Sequence, residues 1–118
     1  MSELPIRVAE ACTLPTVGRP ARSAEWGSLF REVTAAESVG AQWGRLVFPV
    51  DSALEMRVRD LASRESSCCS FFTFQLGEGV DAAGAQTMTL DVSVPPSQSA
   101  VLDAFIAWAD GVRTGRLA

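Results

Sequence analysis

The sequence of 118 residues contains no histidine and no long hydrophobic run. Without histidine, the base that usually activates a serine nucleophile is missing, which excludes hydrolases of the Ser-His-Asp type. A zinc site would also lack imidazole ligands and would need a carboxylate or water in its fourth position. No apolar run approaches the ~18 residues that a membrane span requires, so we expect no membrane partner.

Basic residues are few. The ten cationic residues are all arginines and are scattered along the chain, and the net charge is −4. Phosphate contacts require a clustered basic face, so a nucleic-acid partner is not expected. The pair Gly77 and Gly79 lacks the third glycine and the following helix of a phosphate-binding loop.

Length and composition predict one domain over residues 1–118 that buries its own core. The N-terminus has no basic region followed by an apolar core, which favours the cytoplasm over secretion. Frequent prolines predict an extended N-terminal arm over residues 1–20, which leaves a globular core over residues 21–112.

Hydrophobic periodicity predicts three helices and three strands in the order α-β-α-β-β-α. This pattern indicates an α+β fold, with a small antiparallel or mixed sheet covered on one face by helices. The expected elements are a helix over 22–38, a strand over 42–50, a helix from Asp51 or Ser52 to the cysteine pair, strands over 71–76 and 87–94 around a glycine-rich turn, and a helix over 97–111.

The three cysteines, Cys12, Cys68 and Cys69, are the most informative residues. An odd number of cysteines in a reducing cytoplasm is expected to remain as thiols, and a bridge between the adjacent Cys68 and Cys69 would be strained. A thiolate is a nucleophile and a soft metal ligand. The alternative is that the cysteines simply fill the core, which explains Cys68 better than Cys69.

Glu65 lies on the buried stripe of the same predicted helix, three residues before Cys68 and four before Cys69. These spacings bring side chains together on a helix, and burial favours a protonated carboxyl group that could donate a proton beside the thiols. The alternative is that Glu65 forms only an ion pair on the helix surface, with Arg31, Arg59 or Arg64 as its partner.

Soft ions that accept two or three thiolates match this set of ligands better than zinc does. Mercury(II) is the first choice among Hg(II), Cd(II), Cu(I) and trivalent arsenic. The aromatic side chains are expected mainly in the core, although Trp43, Phe71 and Phe72 are candidates for the wall of an apolar pocket that receives an organic group.

Two segments carry a resemblance to known proteins. Residues 12–16 (CTLPT) and 65–74 (ESSCCSFFTF) resemble a group of small actinobacterial cysteine-pair proteins that tend to be associated with metal-responsive regulators. The cysteine pair followed by Phe71 and Phe72 is also similar to a segment of organomercurial lyase. In that family two cysteines hold mercury and an aspartate carries a proton to the carbon leaving group.

The resemblance to the lyase implies catalytic roles for Cys69 and Cys12, with Cys68 as a neighbour. Pro15 stands where the family's aspartate is expected, so the proton would have to come from Glu65.

The sequence therefore predicts a cytoplasmic protein that binds Hg(II) or an organomercurial through Cys12, Cys68 and Cys69 in metal resistance, without a resident cofactor and with a homodimer as one option. One alternative is an enzyme that cleaves carbon–mercury bonds with Cys69, Cys12 and Glu65. The other is a partner-binding or redox-sensing domain that takes up no metal.

Overall fold

A computed structural model describes the backbone of residues 19–116 and the side chains of all these residues except 19, 20 and 68. The chain forms α1 (Arg19–Phe30), β1 (Ala35–Gly40), β2 (Trp43–Pro49), α2 (Ser52–Cys68), β3 (Thr73–Val80), β4 (Gln86–Ser93) and α3 (Ser99–Arg113), with a 3-10 turn at Pro96–Gln98 before α3.

The four strands form one antiparallel sheet in the order β1-β2-β4-β3. Leu46, Leu90 and Leu76 lie side by side across its three long strands. Helices pack on this face of the sheet, whereas the opposite face carries Arg45 and Asp91, which form an ion pair at 2.7 Å. The predicted fold class, a small sheet with helices packed on it, is confirmed.

The structure contains one strand that the sequence analysis missed. The helix expected over 22–38 ends at Phe30, and β1 follows after a short turn. The segment is rich in alanine and glutamate, which favour helix, but pairing decides its conformation. Thr34 donates its backbone N–H to the Val47 carbonyl at 2.7 Å, and β1 then supplies partners for the backbone groups of β2.

Strand β3 is also longer than predicted. The expected glycine-rich turn begins only at Asp81, and Gly77 and Gly79 lie inside the strand. Packing explains why glycine occupies both positions, because a Cβ atom at either one would lie 3.1 Å from a threonine Oγ1 of β4. The carboxylate of Asp81 organises the turn itself by accepting two backbone N–H groups at 2.9 Å.

Helix α2 begins and ends as predicted. Asp51 is the N-cap, and its Oδ1 accepts the backbone N–H of Leu54 at 2.8 Å. Cys68 is the last helical residue and Cys69 is the C-cap, so the cysteine pair lies where the helix ends.

Most of the predicted N-terminal arm, residues 1–18, lies outside the described residues. Residues 19 and 20, which the sequence analysis assigned to the arm, belong to α1. None of the helices in the described part of the chain is long and apolar enough to cross a membrane.

Candidate functional site

Cys69 lies in the core at the junction between α2 and β3. Its side chain is only 3% exposed, and Phe71 and Phe72 beside it are each 8% exposed. The backbone at Cys69 has left the helical conformation, with φ −122° and ψ 88°. Its N–H donates to the Glu65 carbonyl at 2.7 Å, and its own carbonyl accepts the N–H of Phe72 at 3.2 Å. The position of Cys69 is therefore fixed by the main chain on both sides.

Cys69 is disulfide-bonded. The expectation that the cysteines are free thiols is therefore wrong for this residue in this structure. The bonded sulfur belongs to no described side chain, and the predictions for Cys12 and for the side chain of Cys68 likewise lie outside the described residues. The gathering of three sulfurs at one site thus stays a prediction.

Glu65 is buried one turn before Cys69, as the helical register predicts, and is 8% exposed. Its Oε1 accepts two hydrogen bonds from α1, one from Arg22 Nη1 at 3.0 Å and one from the Trp26 indole Nε1 at 2.9 Å. An ionised carboxylate makes hydrogen bonds of this kind, with a guanidinium as one of the donors. Glu65 therefore forms an ion pair, but the pair is buried and its partner is Arg22, so the expectation of a surface pair with Arg31, Arg59 or Arg64 is wrong.

Two of the arginines that the sequence analysis considered as partners of Glu65 bind other carboxylates in the structure. Arg64 binds Glu25 at 2.7 Å and Asp60 at 2.9 Å, and Arg59 binds Glu55 at 2.9 Å. The hydrogen bond from Arg64 holds the pKa of Glu25 below its ordinary value. These pairs are far more exposed to solvent than the pair of Glu65 and Arg22.

An aromatic cluster connects the Glu65 hydrogen bonds to the region of Cys69. The Trp26 ring stacks on Phe74 at 5.6 Å between centroids and meets Phe105 edge-on at 5.1 Å. Phe72 contacts the same two rings at 5.4 and 5.5 Å and packs on Phe71 at 4.6 Å. The donor of one Glu65 hydrogen bond and the two aromatic residues that follow Cys69 therefore belong to one packed cluster.

Trp43 does not join this cluster. It lies on the opposite face of the sheet, 39% exposed, with the Arg45 guanidinium 5.3 Å from its ring centroid. Gly44, its neighbour in β2, faces Ile106 of α3 instead. Because successive strand residues point to opposite faces, Trp43 cannot share a pocket wall with Phe71 and Phe72.

The sequence analysis missed Arg22 and Trp26 as partners of Glu65. A signal was present, because the two residues are separated by four positions and so share one face of α1. Periodicity alone identified Trp26 as a core residue. It could not show which element α1 packs against, and that packing pairs Arg22 with Glu65 in addition to Glu25 of its own helix.

The described residues contain no group of three or more histidine, cysteine, aspartate or glutamate side chains placed to hold a metal ion. A cavity of about 460 Å³ lies at the other end of α2, between Glu55, Arg59 and the hairpin of β3 and β4, and no cysteine lines it. The chemically distinctive part of the described chain is therefore the disulfide at Cys69, with the ion pair of Glu65 one turn away.

Comparison of the chain with protein-family models, with curated proteins and with solved structures gives no match. The resemblances to the cysteine-pair proteins and to organomercurial lyase therefore stay predictions from the two motifs.

Proposed function

We propose that this protein binds a soft metal ion, with Hg(II) as the first choice, through the thiolate of Cys69 and a second cysteine when the disulfide is reduced. The observation that supports the proposal is the disulfide itself. A sulfur bonded to Cys69 must lie beside it, so reduction leaves two thiols close enough to bind one ion. Thiolates are the ligands that soft ions prefer.

The surroundings of Cys69 suit a complex without net charge. Cys69 is 3% exposed and lies against aromatic side chains, where an isolated charge would be costly. A divalent ion bound by two thiolates is neutral overall, because each cysteine loses one proton on binding. A zinc site with four thiolates would carry two negative charges and would suit this environment less well.

Binding follows only after reduction, because the soft ligand is the thiolate and a disulfide offers none. We place the protein in the cytoplasm, where thiol reductants keep most cysteines reduced. Sequestration of Hg(II) there would contribute to metal resistance. Cys12 and Cys68 are the other two cysteines of the chain, and we propose that one of them is the second thiolate ligand beside Cys69.

A competition titration tests the proposal. Reduced protein is titrated with Hg(II) in the presence of excess glutathione, and the sulfur-to-mercury charge-transfer absorption is followed. We expect one ion per chain to be retained against the competitor. The Cys68→Ser, Cys69→Ser double variant should lose this retention, because it leaves Cys12 as a single sulfur. Cys12→Ser should lose retention when Cys12 is the second ligand and keep it when Cys68 is.

A matched control keeps the result interpretable. Ser67→Ala changes a neighbouring residue of α2 without touching a sulfur and should bind as the parent does. If the double variant retains Hg(II) as well as the parent, the site lies elsewhere in the chain.

The second candidate is cleavage of a carbon–mercury bond. It is favoured by the burial of Glu65 one turn before Cys69. In this reaction a thiolate binds mercury, the carbon–mercury bond breaks, and a proton moves from a carboxyl group to the carbon. The hydrogen bonds from Arg22 and Trp26 weigh against it, because they already engage the Glu65 carboxyl group, with a guanidinium as one of the donors.

Release of hydrocarbon from a simple organomercurial separates the enzyme from the binding protein. An enzyme that uses Glu65 as its proton donor would release hydrocarbon as the parent and would lose most of this activity in Glu65→Gln. Binding without release would leave the first candidate as the function.

A further inference from the structure

We propose that the outer edge of β3 pairs with the same edge of a second copy of this chain, so that two four-stranded sheets join into one. The two β3 strands run antiparallel, and a two-fold axis passes through the sheet at Gly77. This inference uses no cysteine and does not depend on the proposed function. It rests on the backbone groups, the side chains and the cavity along this edge.

The first observation is a row of unpaired backbone groups. In the described sheet, β3 pairs with β4 alone and is therefore an edge strand. The N–H of Asp81, which follows β3 directly, donates to the Ala85 carbonyl at 2.9 Å, so residue 81 directs its backbone groups toward β4. This direction alternates along a strand. The N–H and C=O groups that point outward belong to Phe74, Leu76, Glu78 and Val80. In the described part of the chain, no residue forms a hydrogen bond with these groups.

The second observation is that β3 lacks the features that keep sheet edges from pairing. A proline, a lysine, a β-bulge or a short strand usually serves this purpose. The strand Thr73–Val80 has eight residues, contains neither proline nor lysine, and keeps a continuous register with β4. The other edge differs, because β1 has six residues and its register with β2 shifts between Ser38 and Gly40. The edge of β3 is therefore the one suited to pairing with another strand.

A second copy fits this edge because β3 is complementary to itself when Gly77 lies on the axis. Residues directly opposite in an antiparallel pair share one face of the sheet, and their side chains interact. Phe74 then lies opposite Val80 of the second copy. Val80 is 68% exposed in the single chain and Phe74 is partly buried, so this pair removes an apolar side chain from water. With the axis at Leu76, Phe74 would lie opposite the charged Glu78, and Val80 would lie beyond the paired residues.

The cavity of about 460 Å³ beside β3 provides room for the second copy and adds complementary charges. It lies between Arg59 of α2 and the half of β3 that contains Leu76 and Glu78, so α2 leaves this half of the strand uncovered. Across the axis, Glu78 of the second copy lies opposite Leu76 and beside the Arg59 side chain, which is 62% exposed. The symmetry repeats this contact, so two attractive pairs of charges accompany the strand pairing.

The length of β3 limits the strength of the dimer. The four residues with outward groups form four hydrogen-bonded pairs across the axis, and each such pair exchanges two hydrogen bonds. A strand of eight residues is about 26 Å long, so the paired edges bury less than the ~800 Å² per partner of a standard interface. We therefore expect a reversible dimer whose population rises with protein concentration.

Sedimentation velocity over a wide range of protein concentrations tests the dimer, with a phosphine reductant present so that no disulfide links two chains. The mass should rise with concentration from that of one chain, 12.6 kDa, toward twice that value. Amide exchange measured by NMR at both ends of the range then locates the interface. The N–H groups of Leu76 and Glu78 should exchange about ten-fold more slowly, or slower still, in the dimer. The N–H of Gly77, which is directed toward β4, should be protected at both concentrations.

Two variants disrupt the pairing, and a matched control leaves it intact. Glu78→Pro removes an outward N–H that β4 does not use, and Val80→Lys places a charge where Phe74 of the second copy lies. Both variants should keep the circular dichroism spectrum of the parent and stay monomeric over the same concentrations. Val39→Lys makes the same change at an exposed valine of the other edge strand, β1, and should dimerise as the parent does.

Three results would overturn the proposal. A chain that stays monomeric at every concentration, with rapid exchange at Leu76 and Glu78, has an open edge that does not pair. A monomer in which these two amides are protected has the edge covered by another segment of its own chain. A dimer that leaves the two amides unprotected, or that persists in both Glu78→Pro and Val80→Lys, uses a different surface.

Discussion

Replacing Glu65 by glutamine tests the hydrogen bonds that join α1 to the end of α2. The substitution keeps the size of the side chain and removes its charge. The amide oxygen can still accept the Trp26 indole N–H, so the main loss is the ion pair with Arg22. The side chains of this pair are 10% and 13% exposed, so solvent screens it little.

The magnitude follows from that burial. A hydrogen bond to a charged group contributes about 1.5–3 kcal/mol, and removing one partner of a buried ion pair costs about 3–5 kcal/mol. Arg22 keeps a second carboxylate, Glu25, at 3.6 Å, which reduces the cost. We therefore expect Glu65→Gln to lower the free energy of unfolding by about 2–3 kcal/mol.

Glu25→Gln is the matched control, because it makes the same chemical change at a carboxylate that is 42% exposed. Its loss should be below about 1 kcal/mol, as for other surface pairs. Urea unfolding followed by circular dichroism measures both variants, with the disulfide in the same state throughout.

A double-mutant cycle isolates the indole hydrogen bond. Trp26→Phe removes the N–H donor and part of the ring, Glu65→Met removes the acceptor, and the double variant cancels the packing losses of the two single variants. A coupling energy of about 1 kcal/mol is expected for this bond. If Glu65→Gln costs no more than Glu25→Gln, the carboxylate is not buried against α1 and the description of the site is wrong.

Two further predictions concern packing and charge. Gly44→Ala should lower the free energy of unfolding by about 1–3 kcal/mol, because its Cβ would lie 2.6 Å from Ile106 Cδ1. Gly40→Ala should change this free energy little, because no atom lies within 4 Å of its Cβ position. Equal losses of the two variants in urea unfolding would contradict the packing argument. The pKa of Glu25, held below 4.5 by Arg64, should rise in Arg64→Met when carboxyl carbons are titrated by NMR. The pair of Glu25 and Arg64 stabilises the fold above the unfolded-state pKa of Glu25, and this contribution is lost as the pH falls through the lowered folded-state pKa. An unchanged pKa of Glu25 in Arg64→Met would show that Arg64 is not the cause of the lowering.

The sequence predicted those features that local chemistry determines. Asp51 and the apolar spacing of α2 defined that helix, and the same spacing placed Glu65 in the interior beside the cysteine pair. Strand β1 was missed because its alanines and glutamate favour helix, and only pairing with β2 makes it a strand. Gly77 and Gly79 were interpreted as part of a turn. Nothing in the local sequence shows that the absence of a side chain at these glycines leaves room for threonines of the neighbouring strand β4.

The partner of Glu65 was beyond sequence reasoning for a similar reason. Arg22 lies 43 residues away along the chain, and only the packing of α1 on α2 brings the two side chains together. The disulfide at Cys69 was missed because the odd cysteine count and the expectation of a reducing cytoplasm both favoured free thiols.

The most direct test of the account is native mass spectrometry of the reduced protein after one equivalent of Hg(II) and exchange into buffer with glutathione. We predict a single species whose mass increases by one mercury and decreases by two protons, and no such species for Cys69→Ser. Retention of mercury by Cys69→Ser at the level of the parent, or complete loss of mercury from the parent to glutathione, would contradict the claim that the reduced sulfur of Cys69 is a soft-metal ligand.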